Sequence, residues 1–160
     1  MKQYHVLECR NQQAIAEHLH NLFTTITAGK EITQFWNPLT RAQITSYLST
    51  PANPLVLWFK KIDLRVRDIS FTVYNDQVGV GIHKDQPPVV AKVNFPVMNT
   101  KDTYNVWYND SGKEVARVEC DRPIVLRSDI LHSVEIGESA LFPRIQFSFC
   151  LYHEPLHLLK

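Results

Sequence analysis

The sequence predicts a mainly β domain, a sandwich or jelly roll with helices against one side, and three observations carry that expectation. Apolar residues recur at helical spacing only in the first third of the chain; beyond Pro54 the period falls to two; and turn residues cut that second part into short segments. With 160 residues, 44% of them hydrophobic, the chain is long enough for one domain with a core. We expect a single domain made of a helical N-terminal layer over 1–53, a β core over 54–152 and a tail over 153–160.

The elements follow in order. From Asn11 to about Thr27, the residues Ile15, Leu19, Leu22 and Ile26 form a stripe that one helix face would bury, and Gly29 can end it. A second helix starts at Thr40, whose hydroxyl can cap while Gln43 closes a capping box and Leu39 staples onto Ile44; Pro51 stops it. Ile62, Leu64 and Val66 then alternate with Asp63, Arg65 and Arg67. Ile69–Tyr74, Val89–Val97, Thr103–Tyr108, Glu114–Cys120, Ile124–Leu126, Leu131–Ile136 and Ile145–Leu151 also favour extended chain, which makes about eight strands. Asn75-Asp76, Pro87-Pro88, Asn109-Asp110-Ser111-Gly112 and Gly137 supply the turns between them.

Charge narrows the partners. Seventeen Lys plus Arg stand against sixteen Asp plus Glu, so no long-range field draws the chain to nucleic acid or to an anionic membrane. Apolar runs such as Pro54–Phe59 are too short to span a bilayer, and Met1–His5 leads into no signal core, so we expect a soluble cytoplasmic protein. Cys9, Cys120 and Cys150 are odd in number and in no Cys-x-x-Cys pair, which suits reduced thiols.

The chemistry concentrates in His83-Lys84-Asp85, His132 and Arg144. In extended chain, side chains two apart share a face, so His83 and Asp85 can reach one ion while Lys84 points away. Two imidazoles and one carboxylate meeting on a β scaffold make the ligand set of a non-haem Fe(II) site with open positions. Alone, His-x-Asp is a short motif, and a single histidine in a strand is more often a hydrogen-bonded core residue than a ligand. Context raises its weight: the triplet ends the run Val78-Gly79-Val80-Gly81-Ile82, whose glycines permit close backbone approach. Along 144–151, Ile145, Phe147, Phe149 and Leu151 share one face and Arg144, Gln146, Ser148 and Cys150 the other. Either this is an edge strand with a solvated Arg144, or the apolar face meets an outer layer and the polar face lines a pocket, where a buried Arg144 needs an anion. Lys92 and Asn94 repeat the pattern opposite Val93 and Phe95; in Thr103–Tyr108 either face, with Trp107 on one, can wall a substrate pocket.

In this order and spacing, His83-x-Asp85, His132 and Arg144 resemble the signature of the Fe(II)/2-oxoglutarate-dependent oxygenase superfamily. The stretch Ile82-His83-Lys84-Asp85 with Val93-Asn94-Phe95-Pro96-Val97-Met98-Asn99 is similar to the first core strands of small bacterial and phage-type members. The resemblance covers about residues 70 to 152 and implies a double-stranded β-helix (jelly roll). It further implies Fe(II) held by His83, Asp85 and His132, and 2-oxoglutarate held by Arg144 with Asn94 and Ser148. Lys92, Trp107 and Gln146 would border the substrate, and a hydroxylase-type reaction would consume dioxygen and release succinate and carbon dioxide. Many members carry Ser or Thr two residues after that Arg, where this chain has Gln146. The oxidised substrate would be peptidyl or a small molecule. Two other readings stay open: a non-catalytic β-sandwich binding module whose surface is formed by Trp58, Trp107 and the tyrosines, and a cupin-like metalloprotein with a different metal chemistry.

Overall fold

A computed structural model describes residues 1–33, 39–50, 53–151 and 153–160. The first helix, α1 (Gln12–Thr27), buries Ile15, Leu19, Phe23 and Thr27 at steps of four; the expected Leu22 and Ile26 lie half-buried beside them. Helix α2 (Arg41–Ser49) opens with the expected capping box. The Thr40 Oγ1 accepts from the Gln43 amide at 3.2 Å, and Gln43 Oε1 accepts from the Thr40 amide at 2.8 Å. The staple partner Ile44, as a side chain, and the stop at Pro51 lie outside the described residues.

The β core begins later than the sequence led us to expect. Residues Pro54–Lys61 form a third helix, α3, because Asn53 Oδ1 caps the amides of Leu55 and Val56 at 3.0 and 3.4 Å, Pro54 opens the first turn, and Lys60 and Lys61 face the carbonyl end. Its strand-like composition is overridden by packing: Leu55, Trp58 and Phe59 are buried against the sheet. A short strand, β1 (Tyr4–Val6), precedes α1 in the layer expected to be helical, and the tail folds into one turn, α4 (Leu156–Leu159).

The remaining strands are β2 (Val66–Tyr74), β3 (Val80–His83), β4 (Ala91–Met98), β5 (Thr103–Tyr108), β6 (Glu114–Glu119), β7 (Ile124–Arg127), β8 (His132–Ile136) and β9 (Arg144–Leu151). They form two antiparallel sheets, of order β1-β7-β4-β9-β2 and β3-β8-β5-β6. From β2 onward the chain crosses between sheets at nearly every connection, so both sheets contribute to one interior.

The strand β9 shows how the layers are sorted. Its Ile145, Phe147, Phe149 and Leu151 join α1, α2 and α3 in the main apolar core on the outer face of the five-stranded sheet. Phe149 packs edge-on to Phe59, and Tyr47 edge-on to Phe147. The other face of β9 looks between the sheets, where the apolar part is small: Trp107, Val118, Ile124 and Leu126. Polar residues therefore line the space that remains. The alternation in the sequence is real, and the helices explain why its apolar face points away from the sheet interior.

Candidate metal centre

His83 and His132 are cross-strand partners on β3 and β8, with ring centroids 4.3 Å apart. Asp85 follows just after β3, fixed by its amide donating to the Ser128 carbonyl at 2.8 Å. One ligand atom from each of the three residues lies within 4.8 Å of the others, and no second group of three such side chains occurs among the described residues. Ligand atoms at right angles around an ion bonded at about 2.1 Å stand ~3 Å apart, so small side-chain rotations close this set on a cation.

Each imidazole is already aimed. The Nδ1 atoms of His83 and His132 lie 2.8 Å from the carbonyls of Gly81 and Ile130. A carbonyl only accepts, so Nδ1 carries the proton and Nε2 offers its lone pair to the centre, the arrangement that orients metal-bound histidines. Burial lowers the pKa of His132, outweighing its hydrogen bond to Ile130, and the neighbouring His83 lowers it further. Asp85 is held below the ordinary carboxylate range: burial alone would raise it, but the Lys92 ammonium paired with Oδ2 at 2.5 Å, helped by Ser128, prevails. A neutral His132 imidazole and an ionised Asp85 carboxylate are protonation states that metal binding requires. The donor set fits a divalent cation.

Beside the triad lies a cavity of about 170 Å³ bordered by His83, His132, Lys92, Asn94, Gln146 and Ser148. Two larger hollows, of about 530 and 570 Å³, open on the helical side and contain no such triad. Behind the cavity Arg144 is wholly buried. Its Nε donates to Thr103 Oγ1 at 3.1 Å, Nη2 donates to Gln146 Oε1 at 2.5 Å, and its guanidinium lies 4.7 Å from the Tyr74 ring centroid. Nη1 has no hydrogen-bond partner, and no carboxylate pairs with this cation among the described residues. A buried guanidinium whose described neighbours are neutral has the charge to receive an anion.

Of the sequence candidates, the structure groups His83, Asp85 and His132 at one end and Lys92, Asn94, Gln146 and Ser148 around the cavity, with Arg144 behind. Trp107 is not among them. Its ring stacks on Tyr4 at 5.2 Å between the sheets and its Nε1 donates to the Arg127 carbonyl, so it is core, and Asn105 from the same face borders the cavity instead. Trp58, on α3, is largely buried, donates Nε1 to the Glu8 carbonyl at 3.2 Å and borders the 530 Å³ hollow on the helical side. Thr103, Thr72 and Tyr74 were not singled out in the sequence. Tyr74 stands opposite Arg144, and Thr72 opposite Gln146, through the β2–β9 register, which no local pattern in β2 encodes.

No protein-family model and no curated protein matches the chain. Solved structures do. AviO1 from Streptomyces viridochromogenes Tue57 is 12% identical with a TM-score of 0.54 over 96% of this chain and 92% of its own. A Pseudomonas putida prolyl-4-hydroxylase is 10% identical with a TM-score of 0.55 over 96% and 89%. EvdMO1, at 12% and 0.55, matches over 95% of this chain, which spans only 48% of that protein. At such identities the likeness speaks for architecture alone: this mainly β chain of two antiparallel sheets has an oxygenase-like fold, of the kind seen in the prolyl-4-hydroxylase.

Proposed function

We propose that the protein is an Fe(II)- and 2-oxoglutarate-dependent oxygenase that hydroxylates a C–H bond of a peptidyl or small-molecule substrate, and that its two sheets form a double-stranded β-helix. The observation that carries this reading is the pairing of His83, Asp85 and His132 with a cavity backed by an unneutralised buried guanidinium. Bound Fe(II) and 2-oxoglutarate would supply the oxidation, with dioxygen consumed and succinate and carbon dioxide released. The chain's own residues have the other tasks. His83 and His132 offer Nε2, and Asp85 offers Oδ1 while Lys92 holds Oδ2. Arg144 supplies charge for the distal carboxylate, with Asn94 and Ser148 as polar contacts along the way. Three protein ligands leave positions on the ion for a chelating 2-oxo acid and for dioxygen.

The test is a substrate-screened succinate assay run beside Fe(II) binding to wild type, Asp85→Ala and His132→Ala. Metal retention and succinate release in wild type, with both lost in folded variants, supports the reading. Metal retention without succinate release from any 2-oxo acid favours the cupin-like alternative. No metal retention leaves a binding module.

A further inference from the structure

Gln146 stands between the cavity and Arg144: it borders the cavity, whereas the guanidinium lies behind it. Arginine only donates, so the carbonyl end of Gln146 faces Arg144 and its amide nitrogen turns to Ser148 Oγ, 3.4 Å away. Ser148 in turn donates to Asn94 Oδ1 at 3.0 Å. The direction of donation is therefore fixed along all four side chains, from Arg144 to Asn94. Thr103 and Gln146 take Nε and Nη2 of the fork, leaving Nη1 without a partner among the described residues. An acid entering from the triad end meets the Gln146 amide before it meets the cation.

We propose that Gln146 is the specificity-determining residue for the cosubstrate, a stop that sets how long a 2-oxo diacid the cavity admits. This rests on the oxygenase reading above. With Gln146 in place the blind end is closed by its amide, which the charge-assisted bond from Arg144 makes a stronger donor to the distal carboxylate. Shortening the side chain by one methylene opens room for one more carbon in the acid. Discrimination of one methylene in a closed pocket is worth about tenfold or more.

The experiment is calorimetric titration of the Ni(II)-loaded protein, which binds without turnover, with 2-oxoglutarate and with its one-carbon-longer homologue 2-oxoadipate. We expect the affinity ratio to move about tenfold toward 2-oxoadipate in Gln146→Asn, and at least as far in Gln146→Ser. In Gln146→Met, which keeps the length but not the hydrogen bonds, both affinities fall and the ratio stays. Thermal unfolding of each ligand-free variant identifies any that do not fold, and the conservative Asn variant then carries the test. A ratio unchanged within twofold in Gln146→Asn overturns the length stop and leaves the oxygenase reading standing. Failure of the Ni(II)-loaded wild type to bind either diacid overturns both.

Discussion

The ammonium of Lys92 holds the outer oxygen of Asp85 while the inner oxygen faces His83 Nε2 at 3.8 Å. Lys92 therefore serves as a resident counter-charge beside a partly buried carboxylate, and a divalent ion would take over part of that task. Lys92→Met should destabilise the metal-free protein by about 1–2 kcal/mol, between an exposed and a buried pair. Saturating Ni(II) should reduce that difference, so the variant gains more stability from metal than wild type does. Urea unfolding with and without Ni(II) measures both. A tenfold loss of Ni(II) affinity in the variant would mean instead that the ammonium orients Asp85.

Arg144 makes an opposite case, in which function and stability pull apart. Replacing buried ionic groups with well-packed apolar side chains of similar volume is often neutral or stabilising. Arg144→Met should leave the ligand-free melting temperature unchanged or higher and leave metal binding intact. Stabilisation by added 2-oxo diacid should disappear. If the variant melts far below wild type, Arg144 is chiefly a structural tie between Thr103, Gln146 and Tyr74.

What the sequence made legible follows from how far each signal reaches. The triad and the polar face of β9 were readable because period-two alternation is local, and Arg144, Gln146 and Ser148 lie on one strand. Helix α3 was hidden by strand-forming residues, although Asn53 followed by Pro54 is a helix start in plain view. The contributions of Tyr74 and Thr103 come through register and the meeting of two sheets, which only tertiary packing decides. Trp107 was misplaced for the same reason: alternation assigned it a face, and the other sheet determined that this part of the face is core.

Gly79 and Gly81 were read alike in the sequence, and the structure separates them. A Cβ on Gly79 would come 2.0 Å from the Val134 carbonyl oxygen, so β3 and β8 would have to part next to the His83–His132 pair. Around Gly81 nothing lies within 4 Å of such an atom. Gly79→Ala should therefore cost about 1–3 kcal/mol and weaken Ni(II) binding, whereas Gly81→Ala should stay within about 0.5 kcal/mol. Denaturant unfolding and metal titration of the two variants provide the comparison; equal effects would mean that the β3–β8 contact does not set the spacing of the histidines.

Far from the candidate site, Tyr47 links α2 to β9, its ring 6.0 Å from Phe147 and its hydroxyl buried with no hydrogen-bond partner among the described residues. Burial pushes its pKa from 10.0 up to about 12; Asn53 eases the shift slightly, yet the hydrogen bond it makes is to the Tyr47 backbone carbonyl. The folded state therefore holds this proton more tightly than the unfolded chain. That contribution is complete below pH 10 and is lost as pH rises through about 12. A two-unit difference amounts to about 2–3 kcal/mol in full. Tyr47→Phe removes both the titration and an unsatisfied buried hydroxyl, so it should be neutral or stabilising by about 1 kcal/mol at pH 8. Its advantage over wild type should widen between pH 10 and 12, as read by urea unfolding across that range. An advantage that stays constant with pH would show that the Tyr47 hydroxyl reaches solvent or a partner on α2.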